Sequence, residues 1–116
     1  MLDNAVVVIT RRGMGTTGPD DKAFGVEMLE KFLHALEGRE DRPAAICFVT
    51  EGVTTVADDG NAVLSLRMLE EAGVRLVSCR TCLDHYGLAD RVQVGETGTM
   101  ADIIDLLAAA DKVIDL

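Results

Sequence analysis

Two cysteines three residues apart, in the stretch SCRTCLDHYGL at positions 78–88, are the groups best suited to chemistry in this chain. Cys79 and Cys82 follow a strand-like run directly, and Asp84 and His85 come next. Four readings fit a close cysteine pair: a redox couple, half of a metal site, a nucleophile that carries sulfur, or two packed thiols. As a zinc site, Cys79, Cys82 and His85 supply three ligands. A closed tetrahedral site takes four, and no second Cys or His cluster stands in the sequence to complete it. Haem attachment needs His directly after the second cysteine, and position 83 is Leu. No metal and no other cofactor is therefore expected.

The thiol reading has better support. The pair sits where a strand gives way to a turn or short helix, so backbone N–H groups there can stabilise a thiolate. Arg80 adds positive charge and His85 lies one helical turn beyond Cys82, whereas Asp84 favours the neutral thiol. Cys47 is different. It lies mid-strand among Ile46, Phe48 and Val49 and reads as a small core hydrophobe.

The elements that must position these groups alternate strand and helix from end to end. NAVVVIT (4–10) is β-branched and unbroken, the pattern of a strand buried on both faces. From Asp20 to Leu36, Phe24, Met28, Leu29, Phe32, Leu33 and Leu36 recur at helical spacing, with Gly38 placed to end the helix. AAICFVT (44–50) reads as a second strand, and Asn61 to Ala72 as a helix with Val63, Leu66 and Leu69 on one face and Gly73 beyond it. VRLVS (74–78) is the third strand, with the cysteines at its carboxyl end, and RVQVG (91–95) is predicted as a short fourth. Thr99 opens a helix with Asp102 at the capping-box position and Ile103, Ile104, Leu106 and Leu107 turned to the core. DKVIDL (111–116) makes a fifth strand. Such alternation gives right-handed βαβ units. The expected fold class is α/β: a three-layer α/β/α sandwich, Rossmann-like, around a mostly parallel five-stranded sheet, with residues 1–116 as one domain.

Ligands of open α/β sheets bind beyond the carboxyl ends of the strands. Loops 11–21, 50–55, 78–87 and 95–98 form that rim, and Arg11, Arg12 and Arg80 make it locally positive, suited to a small anion or a thiolate. Gly13, Gly15 and Gly18 spell G-x-G-x-x-G there. Gly18, however, precedes Pro19, Asp20 and Asp21 at a helix start, where two carboxylates satisfy the dipole and repel a pyrophosphate. The acidic residue expected about 20 positions further on is also missing. The segment reads as a flexible loop bordering the site. Arg11, Arg12, Gly13, Met14 and Gly15 are candidate positions for binding an anion or adduct, together with Arg80 and His85.

Composition narrows the partners. Of 116 residues, 48% are hydrophobic and 27% charged, an ordinary globular balance. The net charge of −9 argues against nucleic acid and anionic membrane, both of which need a basic footprint. No stretch approaches the roughly 18 apolar residues of a membrane span. MLDNAVVVIT has neither the basic region nor the small-residue cleavage site of a signal peptide. Three cysteines is an odd number, and the expected compartment is the reducing cytoplasm, where a close pair is more often catalytic or metal-binding than structural.

Over its whole length the chain resembles the DsrE/DsrF-like family, most closely the carboxyl-terminal domain of the YedF-type sulfurtransferase-like selenium metabolism proteins. VVVIT, MG…DD, FGVEMLEKFLHAL, GVRLVSCRTCLDHYGLADRVQVGETGTM and the terminal ADKVIDL carry the resemblance, and the segment around the cysteines is its specific part. The resemblance implies an α/β/α sandwich with a parallel sheet. It also implies a role for Cys79: in relay members a cysteine at the end of the third strand, a few residues before a glycine, takes sulfur as a persulfide and hands it on. Cys79, with Gly87 closing its turn, falls at that place; Cys82 is an additional thiol that many relay members lack. Family members are commonly oligomers, so a homo-oligomer is expected. YedF-type proteins carry an amino-terminal TusA-like domain that this sequence does not contain, so a separate TusA-like protein is the expected donor or acceptor.

The leading expectation is thus a cytosolic, sulfurtransferase-like carrier of sulfur or selenium. Cys79 accepts the sulfur, Cys82 releases it by exchange, His85 assists proton transfer, and Arg11 and Arg12 steady an anionic adduct. Two alternatives stay open: a Cys-x-x-Cys thiol–disulfide switch, and a non-catalytic oligomeric module that binds a small ligand or partner at the rim.

Overall fold

The computed structural model describes residues 1–57 and 59–116. Among them, five strands form one sheet: β1 (Ala5–Ile9), β2 (Ala45–Phe48), β3 (Arg75–Cys79), β4 (Glu96–Gly98) and β5 (Lys112–Asp115). The order is β4-β3-β2-β1-β5, and every neighbouring pair is parallel. The helices between them are α1 (Lys22–Glu37), α2 (Thr54–Ala57), α3 (Asn61–Glu71), α4 (Arg80–His85) and α5 (Met100–Ala109). The α/β class and the parallel sheet between helices are as the alternating pattern predicts.

Handedness distributes the layers. The steps from β1 to β2 and from β2 to β3 run in one direction, so right-handed crossovers put α1 and α3 on the same face. The step from β4 to β5 returns across the sheet, which puts α5 on the other face. Side chains alternate accordingly. Val7, Ile9, Ile46, Phe48 and Leu76 point into the larger core with Leu29, Leu33, Leu66 and Leu69. Val6, Cys47, Val77 and Cys79 point into the smaller core, against Ile103 of α5. The capping box forms as the sequence suggests: Thr99 Oγ1 accepts the Asp102 N–H at 3.2 Å, and Asp102 Oδ2 accepts the Thr99 N–H at 2.8 Å.

Three local expectations are corrected. The fourth strand is Glu96–Gly98, not 91–95. Ala89–Arg91 form a 3-10 turn, Gln93 N–H donates to the Val56 carbonyl, and Val94 is buried. The alternating Val92 and Val94 thus reflect a loop packed on the core, which period-two patterning cannot distinguish from a strand. The helix read from Asp20 begins as a 3-10 turn at Pro19–Asp21, with α1 proper starting at Lys22. Phe24 and Ile104, expected inward, are 51% and 56% exposed. Each lies off the stripe that meets the sheet: α1 buries Gly25, Leu29, Leu33 and Leu36, and α5 buries Ile103.

Candidate functional site

The parallel ladder brings the carboxyl ends of β1, β2 and β3 side by side, and the candidate residues collect there. Cys79 is the last residue of β3 and the N-cap of α4, and Cys82 stands in the first turn of that helix. Cys79 is 3% exposed, packed with Cys47, Val77 and Ile103. Cys82 is only partly buried and touches both cores. The two thiols pack on the same small core, and the nearby Cys79 raises the Cys82 pKa.

A third group meets this pair. Thr50 N–H donates to Cys82 Sγ at 3.1 Å. Thr50 is the one non-glycine residue with positive φ (50°) among the described residues, a conformation that costs a β-branched residue about 1–3 kcal/mol. Neighbours hold it there. Its hydroxyl donates to the Thr10 carbonyl at 2.5 Å, tying the end of β2 to the end of β1. Two residues on, Gly52 lies so close to β1 that a Cβ would come within 1.9 Å of the Ile9 carbonyl oxygen. Only glycine fits, and the turn that aims the Thr50 N–H is thereby pressed against the sheet.

Burial pushes the Cys82 thiol up from its ordinary range; the Thr50 N–H pulls it down, and the nearby Cys79 raises it again. Cys82 therefore rests as a neutral thiol, with a donor in place for the anion it forms when it reacts. Among the described residues no donor meets Cys47, and burial pushes it up to about 11 against a smaller pull from Arg75.

The remaining candidates divide. Arg11 and Gly15 line a cleft of about 280 Å³ beside the thiols, together with Thr10, Thr16 and Lys22. Thr50, Glu51 and Tyr86 form its other wall. The Arg11 guanidinium donates to Thr16 Oγ1 at 3.0 Å. Tyr86 N–H donates to the Cys82 carbonyl at 3.1 Å, and its ring meets His85 edge-on at 4.9 Å. Arg12 and Gly13 instead line a recess of about 20 Å³ towards α1 and α3. Arg80 and His85 are exposed and do not line the cleft.

The first part of the glycine segment is docked on α1, while Gly15 and Gly18 stand in open space. Gly13, at φ 93°, packs so tightly that a Cβ would lie 2.7 Å from the Gly25 backbone. Met14 N–H donates to the Gly25 carbonyl at 2.9 Å, and the Met14 side chain joins the larger core. The glycines there allow a loop to dock on α1, which frees Arg11 and Gly15 to face the cleft.

Sequence reasoning missed Thr10, Thr16, Lys22, Thr50 and Tyr86. A signal existed for two of them: Thr10 directly follows β1, and Thr50 lies two residues beyond β2, where rim residues belong. Among the described residues, no three His, Cys, Asp or Glu side chains come together as a ligand set for a metal, and no helix is long and apolar enough to cross a membrane. A larger open groove of about 610 Å³ lies between α1 and α3, away from the thiols.

A sequence model of the DsrE/DsrF-like family matches residues 25–116. Among solved structures, the fold is similar to that of the ychN protein from E. coli, at 22% identity and a TM-score of 0.67, covering 95% of this chain and 97% of that one. It is also similar to the conserved protein of unknown function BT1422 from Bacteroides thetaiotaomicron, at 17% identity and a TM-score of 0.65, covering 97% and 95%. Comparison with curated protein sequences finds no significant match.

Proposed function

The chain belongs to the DsrE/DsrF-like family, which is associated with sulfur relay, and from that premise we propose that it carries sulfane sulfur as a persulfide on the Cys79–Cys82 pair. The observation that carries this reading is the pairing of two thiols on one small core at the end of β3, with the Thr50 N–H already on Cys82. Because Cys79, the acceptor expected from the sequence, is 3% exposed, the reading assigns receipt to the more open Cys82 and rest to Cys79, shielded from solvent. A TusA-like protein as donor or acceptor, a homo-oligomeric assembly and selenium as an alternative cargo belong to the same proposal.

The chemistry is displacement at sulfur, with no net oxidation. Cys82 gives up its proton and attacks the outer sulfur of a donor persulfide; the donor S–S bond breaks, and its electron pair leaves with the donor thiolate. Cys79, deprotonated in turn, attacks the outer sulfur of the Cys82 persulfide. Cys82 then departs as a thiolate, the species that the Thr50 N–H stabilises. Attack on the inner sulfur instead would expel hydrosulfide and leave a Cys79–Cys82 disulfide, which is the product of the switch reading. Which sulfur is attacked decides between them.

The test is intact-mass spectrometry with peptide mapping after exposure to a persulfide donor. The wild-type protein should gain one sulfur atom on Cys79, and Cys79→Ser should hold it on Cys82. Cys82→Ser should load more slowly by roughly tenfold or more, since exchange depends on access of the attacking thiol. A Cys79–Cys82 disulfide without added sulfur would replace the carrier by a redox switch. Unmodified thiols throughout would leave a binding module.

A further inference from the structure

The cleft beside the thiols has a composition that a carrier receiving sulfur from a protein alone does not require. Arg11 and Lys22 bring two cations into it, against the single carboxylate of Glu51, in a chain whose net charge is −9. Thr10 and Thr50 already donate their hydroxyl protons to the Leu116 and Thr10 carbonyls, so the hydroxyl donors of the cleft are Thr16, whose oxygen accepts from Arg11, and Tyr86. This is the donor set of an oxyanion site: cations for the charge, hydroxyls for the remaining lone pairs. At about 280 Å³ the cleft is just under the volumes of roughly 300 Å³ upwards that hold small molecules, which suits a small donor.

Its position matters as much. Thr50 and Tyr86 both line the cleft, and both bond to Cys82, the first through N–H to Sγ and the second through N–H to the carbonyl. The Thr50 backbone thus links the wall of the cleft to the receiving sulfur.

We infer that this cleft binds the oxyanion end of a small sulfane-sulfur donor, a persulfide or thiosulfonate bearing a carboxylate or sulfonate group, and presents its outer sulfur to Cys82. The inference rests on the carrier reading and names the substrate class for it. The transfer balances as before. The new bond joins Cys82 Sγ to the outer sulfur, the donor S–S bond breaks, and the electron pair leaves with the anionic remnant, a thiolate or sulfite. The Cys82 proton passes to solvent.

The experiment compares loading rates of three donors by intact mass: thiosulfate, the persulfide of 3-mercaptopropionate, and the persulfide of cysteamine, which carries an ammonium in place of the oxyanion. One of the two anionic donors, or both, should load faster than the cationic one, and the faster of the pair identifies sulfonate or carboxylate as the preferred group. Arg11→Gln and Lys22→Gln should each slow anionic loading about fivefold, the effect of one screened charge contact, and leave the cysteamine rate within about twofold. Added salt should shrink the preference. Equal rates for all three donors, or variants that slow them all alike, would overturn the cleft assignment and leave the carrier standing. Loading from a protein persulfide but from none of the three would do the same. If neither a protein persulfide nor any small donor adds sulfur, the carrier reading falls and this inference with it.

Discussion

Cys47 and Cys82 have the same side chain and contact the same small core, yet one is sealed inside the sheet and the other is partly open and meets a backbone donor. Cys47 sits inside β2, fully buried, with its thiol pushed up to about 11. Cys82 sits beyond the end of β3, partly open to solvent, and receives a backbone N–H from Thr50. Burial raises both thiols. The difference lies in what meets the anion: at Cys82 a donor is already aimed at the sulfur, and at Cys47 the surroundings are aliphatic. Access and a donor for the thiolate therefore come together where the strands stop.

Alkylation under native conditions separates the two thiols most decisively. Cys82 should be modified faster than Cys47 by roughly three orders of magnitude or more, because reaching Cys47 requires opening a core whose stability is at least about 5 kcal/mol. In denaturant the two rates should converge. Peptide mapping of a timed alkylation checks this, and similar native rates would mean that the sheet interior is not closed around Cys47.

How much of this contrast is legible in the sequence depends on whether the signal is periodic. The strand pattern around Cys47 is a continuous apolar run, so its burial follows from residue types alone. The carboxyl-end location of Cys79 and Cys82 follows from the fold class. Thr50 is not legible in this way. Its role comes from a left-handed backbone forced by the approach of Gly52 to Ile9, a long-range contact that no local pattern encodes. The fate of the glycine segment is hidden for the same reason: Gly13 answers to Gly25, twelve positions away and on another element. Val92 and Val94 show the opposite error, a local alternation whose cause is loop packing, while the actual β4 is the polar-looking Glu96–Gly98. The capping box was readable because both partners, Thr99 and Asp102, lie within one turn.

The Thr50 contact can be tested from a distance by Gly52→Ala. A Cβ at position 52 meets the Ile9 carbonyl oxygen at 1.9 Å, and a backbone atom cannot step aside as a side-chain tip can. The turn must lift from β1, at a cost of about 3 kcal/mol or more. Thr50 moves with it. The Cys82 thiol then loses the one contact that pulls its pKa down, so its alkylation profile should shift to higher pH as urea unfolding shifts to lower concentration. The variant makes Cys82 resemble Cys47. An unchanged profile would show that the Thr50 N–H does not tune the sulfur.

A smaller effect sharpens the Cys47 side. Its thiol is neutral in the fold, with a pKa raised from an ordinary 9.0 to about 11. The unfolded chain therefore loses this proton first as pH rises. The stabilisation is fully present below pH 9 and is lost as pH climbs through about 11. Cys47→Ala removes the titrating group and leaves a small cavity costing about 1–2 kcal/mol, less than the deletion of a larger side chain. Below pH 9 the wild-type protein should be the more stable; above it the two stability curves should approach each other, since every other alkaline titration is common to both. Urea unfolding of the pair at pH 7, 9 and 10.5 measures the gap. If the gap stays constant, Cys47 ionises no differently in the folded and unfolded chains, and the contrast with Cys82 reduces to access alone.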